Sequence, residues 1–78
     1  MGYDYTGTSE ALIARMAVRE VSIRRLAEAM EVRGYPITPY WLGLKIKEPH
    51  RFDLGELGAI CDILGLNLGE LVTAKASA

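Results

Sequence analysis

The sequence has little of what would tie a small chain together covalently. It holds one cysteine, Cys61, so no disulfide can form within it, and a reducing cytoplasm is the compartment this suits. It holds one histidine, His50. A lone histidine and a lone cysteine make no zinc-type ligand set, and neither a metal nor another cofactor is expected. No apolar run approaches the ~18 residues that cross a bilayer. The opening "MGYDYTGTSE" lacks a basic stretch followed by an apolar one, so no secretory leader is expected. Strand-like alternation, internal repeats and low-complexity segments are absent as well. No serine, histidine and acid suggest a triad, and no glycine-rich loop follows a strand, so the chain carries no enzyme signature.

What remains is enough for one small domain. The chain has 78 residues, half of them apolar, which suffices for a core and is too many for a disordered tail. A domain of this size buries only about 60% of its unfolded surface, so each large apolar side chain matters. Net charge is −1, which by itself argues weakly against a nucleic-acid partner, but its distribution is uneven. Residues 20–52 set Arg24, Arg25, Arg33, Lys45, Lys47 and Arg51 against four glutamates, a net of +2. Residues 53–78 carry −3. The positive charge belongs to the middle of the chain.

Spacing of apolar residues predicts five short helices. Residues 1–8 have no period and are expected to form a loose arm. Thr8 or Ser9 is placed to cap a first helix over about 9–19, with Leu12, Ile13, Met16 and Ala17 inward. Ser22 caps a second over about 22–33, whose stripe is Ile23, Leu26, Ala27 and Met30, and Gly34 stops it. Tyr35, preceding a proline, is pushed out of the helical region. Thr38-Pro39 starts a third helix, about 39–47, because threonine caps and proline at the first helical position loses an N–H that had no partner. Pro49 ends it. Asp53 caps a fourth helix, "LGELGAICDILG", with Leu54, Leu57, Ile60, Cys61 and Leu64 on its apolar face. Gly58, near that face, is where another backbone is expected to come close. Asn67 caps a short fifth helix, "LGELVTAK", with Leu68, Leu71 and Val72 inward. The domain is thus expected over 9–73, with a flexible tail at 74–78.

Two helices joined by a tight turn, the second capped and basic, form a helix-turn-helix arrangement. A helix that enters a major groove about 12 Å wide needs a free outer face and a firmly held inner one. On a helical wheel Leu42 and Ile46 share the inner face. Tyr40, Gly43, Leu44 and Lys47 fall opposite, and Trp41 and Lys45 share a flank with Thr38. Trp41, as a large aromatic, is expected to be partly buried rather than a DNA contact.

The segments "VSIRRLAEAM", "ITPYWLGLKI" and "FDLGELGAICDILGLNLGELV" resemble the Cro/lambda-repressor-type, or XRE-type, helix-turn-helix domains, over about residues 10–73. The spacing "RGYPIT" is similar to a subgroup common in actinobacteria and their phages, in which the turn is lengthened. The resemblance implies an all-α compact five-helix bundle in which helices two and three form the helix-turn-helix. Two departures stand out. The Glu-x-Gly segment that usually follows the family's recognition helix is replaced by "IKEPHRF", and the glutamines and serines common on that helix are replaced by Tyr40, Trp41, Gly43 and Leu44.

The resemblance further implies sequence-specific binding of a double-stranded DNA operator by a Cro-like or immunity-repressor-like transcriptional regulator. Thr38, Tyr40, Gly43, Leu44, Lys45 and Lys47 would face bases and the groove, while Arg24, Arg25, His50 and Arg51 would hold phosphates. The bland alternative for Arg24 is an i, i+4 pair with Glu28. A homodimer, usual on palindromic sites, would draw on helix five through Leu68 and Val72. Two other functions fit the residues. One is a phage excisionase or architectural DNA-binding protein, which usually needs a winged hairpin. The other is a protein-interaction module, such as an antitoxin-like or anti-repressor partner. No membrane and no small-molecule ligand are implied.

Overall fold

A computed structural model describes residues 3–74. The class is all-α, with five helices: α1 (Thr8–Arg19), α2 (Ile23–Val32), α3 (Pro39–Lys47), α4 (Leu54–Leu64) and α5 (Leu68–Leu71). A single 3-10 turn, Pro49–Arg51, separates α3 from α4. Each of the caps expected on α2 to α5 is made. Ser22 Oγ accepts from Arg25 N–H, Thr38 Oγ1 from Trp41 N–H, and Asn67 Oδ1 from Gly69 N–H. Asp53 and Glu56 form a reciprocal capping box, at 2.7 and 3.0 Å, which satisfies two N–H groups that a helix start leaves without partners.

The break between α2 and α3 follows from Gly34. It sits at φ 87°, a left-handed conformation that costs an L side chain energy and costs glycine almost none. Its N–H donates to Glu31 O at 3.0 Å and Tyr35 N–H donates to Met30 O at 2.9 Å. These are the two bonds of a Schellman motif, and they close the end of the helix. Pro36 then prevents Tyr35 from re-entering the helical region. α1 ends with the same pattern but without glycine: Glu20 is left-handed at φ 54°, and Val21 N–H donates to Met16 O at 2.9 Å.

Inward-facing residues of the four longer helices meet in one core. Leu12, Leu26, Met30, Leu42, Leu57, Ile60 and Leu64 are fully buried, and Ile46, Phe52, Cys61, Leu71 and Val72 nearly so. α2 packs against both α3 and α4, and α1 also touches both. Burial, with the negative charge of Asp62 adding to it, pushes the Cys61 thiol up from its ordinary value. Not every residue of the expected stripes is inside. Ile13 on α1 is 53% exposed, and Ile23 and Leu54, each at the first position of its helix, are also open. The first turn of a helix overhangs the core edge and has little to pack on.

The chain ends depart most from expectation. Over its described part, the arm expected at 1–8 is fastened to the domain. Tyr3–Asp4 (β1) pairs antiparallel with Thr73–Ala74 (β2), and Tyr5 packs on the core. Thr8 does not cap α1. Gly7 holds that position, and the buried Thr8 Oγ1 donates 2.8 Å to Leu71 O. α5 is one turn long and gives way to β2, where a helix to Lys75 was expected. Of the expected tail only Ala74 is described. The two-residue ladder joins the two ends of the chain and is not a winged hairpin. Val72 is 6% exposed, so it belongs to the core of its own protomer and offers nothing to a partner. Leu68 is half-buried against the same cluster. Of the two residues expected on a dimer surface, Val72 is thus taken up internally and Leu68 in part. The backbone approach expected at Gly58 is not made, and the crowded glycine of α4 is Gly55, which meets the side chain of Tyr35. A Cβ at Gly55 would lie 2.9 Å from Tyr35 Cε1, whereas one at Gly58 would meet nothing within 4 Å.

Two substitutions test this framework. Glu20→Gly removes a left-handed L residue, worth about 1 kcal/mol after glycine's entropy is counted. It should raise the thermal midpoint by about 4–8 °C for a domain of this size. Thr8→Val keeps the shape but leaves Leu71 O without its donor, and should cost about 1–2 kcal/mol in urea unfolding.

Candidate nucleic-acid interface

α3 is nine residues long, too short to persist alone in water. Its start is fixed by the Thr38 cap and by Pro39. Its end places Lys45 and Lys47 in the last turn, where the helix dipole favours cations. Leu42 and Ile46, at 0% and 3% exposure, seat the inner face as the wheel predicts. The outer face is uncovered at Tyr40 and Lys47. Tyr40 is 69% exposed and Trp41 52%, their rings edge to face with centroids 5.6 Å apart. Lys47 is exposed and Thr38 stands open at the N-terminus.

Trp41 was expected to be partly buried, and about half of it is exposed. The core at that level is filled by Leu42, Ile46 and Phe52, so the indole lies outside them. It lines an open hollow with Pro36, Ile37 and Glu31 of the preceding turn and α2. Gly43 and Leu44 are half-buried. A Cβ at Gly43 would sit 3.7 Å from Ile23 Cδ1, an ordinary contact, so α2 and α3 do not need glycine there.

Lys45 is not part of the open face. Its Nζ lies 3.0 Å from both carboxylate oxygens of Glu56, and the two side chains are only 24% and 14% exposed. The ammonium also stands 5.9 Å from the Phe52 ring centroid. Glu56 at the same time accepts from the Asp53 N–H. Lys45 therefore ties α3 to the start of α4, a positioning role that sequence reasoning missed. Glu56 reads from the sequence only as an N-terminal acid of α4. Nothing in a linear pattern joins it to a lysine across the Pro49 turn.

The expected phosphate contacts divide in two. Arg24 and Arg25 are exposed in the first turn of α2, and among the described residues neither forms an ion pair. The Arg24–Glu28 pair that the spacing allows is not formed. Arg51 and His50 both turn to Glu48. Arg51 Nε is 3.1 Å from its carboxylate and His50 Nε2 4.0 Å, with all three side chains well exposed. Exposed pairs of this kind are weak and readily exchanged.

An apolar groove runs beside Lys47. It has a volume of about 380 Å³, and its walls include Ile13 of α1, Ile23 of α2 and Tyr40, Gly43, Leu44 and Lys47 of α3. Residues 11–77 match the family model of the Cro/C1-type helix-turn-helix DNA-binding domain. The chain belongs to that family. Comparison with curated proteins and with solved structures finds no significant match. In this Cro/C1-type domain the helix-turn-helix is α2 and α3, as the sequence resemblance implied. No helix of the described residues is long and apolar enough to cross a membrane.

Removing the tie between α3 and α4 should be costly to the fold. Lys45→Met leaves the half-buried Glu56 carboxylate without its cation, and about 1–2 kcal/mol of stability should be lost. Glu56→Ala should lose more, because the capping box goes with it. Urea unfolding of the two variants measures both.

Proposed function

We propose that the protein is a sequence-specific transcriptional regulator of the Cro or immunity-repressor kind, of the type phages encode, with α3 in the major groove of an operator. The observation that carries this is the division of α3. Its inner face is locked by Leu42 and Ile46, while Tyr40, Trp41 and Lys47 stand uncovered on the other side. A surface helix that is held on one side and empty on the other suits insertion between two phosphate backbones. Thr38, Tyr40, Gly43, Leu44 and Lys47 then face the base edges. Lys45 acts through Glu56 by fixing the angle of α3.

Arg24 and Arg25 meet phosphates at the N-terminus of α2, where the helix dipole adds to their charge. His50 and Arg51 exchange Glu48 for the backbone on the far side of α3. The overall charge of −1 is no obstacle, because binding depends on the cations local to this face. A two-fold dimer on a palindromic site uses surface other than Val72.

The second reading, a protein-interaction module, is favoured by the exposed Tyr40–Trp41 pair, since aromatics are enriched in protein interfaces. Salt separates the two. Releasing counterions from phosphates makes DNA binding fall steeply with salt, with a slope of about −0.9 per phosphate contact. Aromatic burial in a protein groove has no such slope.

Selection from a random duplex pool, followed by salt titration of the winner, tests the proposal. The only tryptophan, Trp41, should report binding through its emission. Lys47→Ala should weaken binding by roughly tenfold or more, as loss of a base contact does. It should leave the thermal midpoint in place, because the side chain is exposed. Replacing Arg24 and Arg25 together with alanine should flatten the salt slope by about 2. Unchanged affinity in Lys47→Ala overturns the placement of α3.

A further inference from the structure

We infer that this surface reads thymine, through the 5-methyl groups of an operator whose contacted bases include T at the Ile23–Leu44 groove. The inference rests on the DNA-binding reading of α3 and says what that helix recognises. Its starting point is the set of side chains α3 does not have. Across Pro39–Lys47 there is no asparagine, glutamine, serine, arginine, aspartate or glutamate. Those are the side chains that read adenine and cytosine in the major groove, and arginine is the common reader of guanine. Lys45 is held by Glu56. The free donors that remain on the helix are the Tyr40 hydroxyl, the Trp41 indole N–H and the Lys47 ammonium.

What α3 offers in their place is apolar concavity. Ile23, Tyr40, Gly43 and Leu44 wall a groove of about 380 Å³, and Gly43 keeps its floor low because it has no side chain. Among the base edges of the major groove, the 5-methyl of thymine is the apolar group. Positive charge at the groove and on the adjoining first turn of α2 suits a duplex rather than a neutral peptide. Lys47 stands at its α3 wall. Arg24 and Arg25, next in sequence to Ile23, are exposed and form no ion pair among the described residues. A thymine also carries an acceptor at O4 beside its methyl, which suits the phenol or the ammonium as donor.

The experiment compares duplexes of the selected operator in which single thymines are replaced by uracil, which lacks only that methyl. At each thymine in the groove, affinity should fall about fourfold, the ratio given by burying one methyl group. Thymines contacted only through phosphate should show no change. In Leu44→Ala and Ile23→Ala, checked for folding by thermal denaturation, the thymine-to-uracil ratio should shrink towards one. Ile23 is exposed at the start of α2, so its variant keeps the test open if Leu44→Ala fails to fold. Lys47→Ala should weaken binding and keep the ratio. Equal affinity for every thymine and uracil duplex overturns the inference while leaving DNA binding intact, as does an operator with no thymine. Enrichment of no duplex at all overturns the DNA-binding reading itself, and this inference with it.

Discussion

The seating of α3 by Leu42 and Ile46 is the constraint on which the remainder depends. Full burial of two such side chains contributes roughly 3–6 kcal/mol, a large fraction of the stability a small domain can have. A nine-residue helix has no other source of that order, since its own propensity is marginal at this length. Every neighbouring feature serves to keep these two residues in place. Thr38 sets where the helix begins, the Gly34 motif sets where the preceding one stops, and the Lys45–Glu56 bond sets its rotation against α4. The requirement is geometric as well as energetic, because a helix that rolled on its seat would turn its outer residues away from any ligand.

Closure of the ends is a second, independent device. The Thr8–Leu71 hydrogen bond and the two-residue ladder join segments more than sixty positions apart. Both lie beside Leu71 and Val72, which are buried in the core. With so few core residues, leaving these two open to water would forfeit a substantial part of the burial. The consequence for assembly is direct: apolar residues that close the core at one end of the domain are not available to a second copy.

Legibility in the sequence followed the range of each interaction. Ser22, Thr38, Asp53 and Asn67 announce their caps because a cap is made within three residues. Gly34 announces a helix end for the same reason. Leu42 and Ile46 were readable because a stripe at helical spacing needs no knowledge of its partner. What was not readable joins distant positions. Thr8 looks like a cap until Leu71 O is brought over it. Lys45 looks like a groove contact until α4 sets Glu56 beside it. The partial burial of Trp41 was readable from its size, but not that the core would be filled by Leu42, Ile46 and Phe52 without it. Glu20 gave no signal, since its left-handed turn is imposed by packing on either side and glutamate is an unusual residue for it. In the candidate site, the exposure of Tyr40 and Lys47 followed from the wheel. The groove did not, because its walls come from three helices.

The composition of α3 is a compromise between two demands on one short helix. A strongly polar outer face would read bases by hydrogen bonds, but in a chain this small it would leave Ile13 and Ile23 of the adjoining helices facing water with nothing beside them. The apolar face shared by Tyr40, Gly43 and Leu44 reduces that mismatch, since it makes the three helices meet in one continuous apolar surface. Continuity has a physical consequence for recognition. Hydrogen-bond readers discriminate steeply, because a wrong base leaves a polar group unpaired, whereas apolar contact discriminates by the worth of a methyl group at a time. On the proposed thymine reading, specificity comes from summing several modest contacts across a rigid surface. That returns the burden to the seating of α3, because weak contacts add only if the helix presents all of them at once.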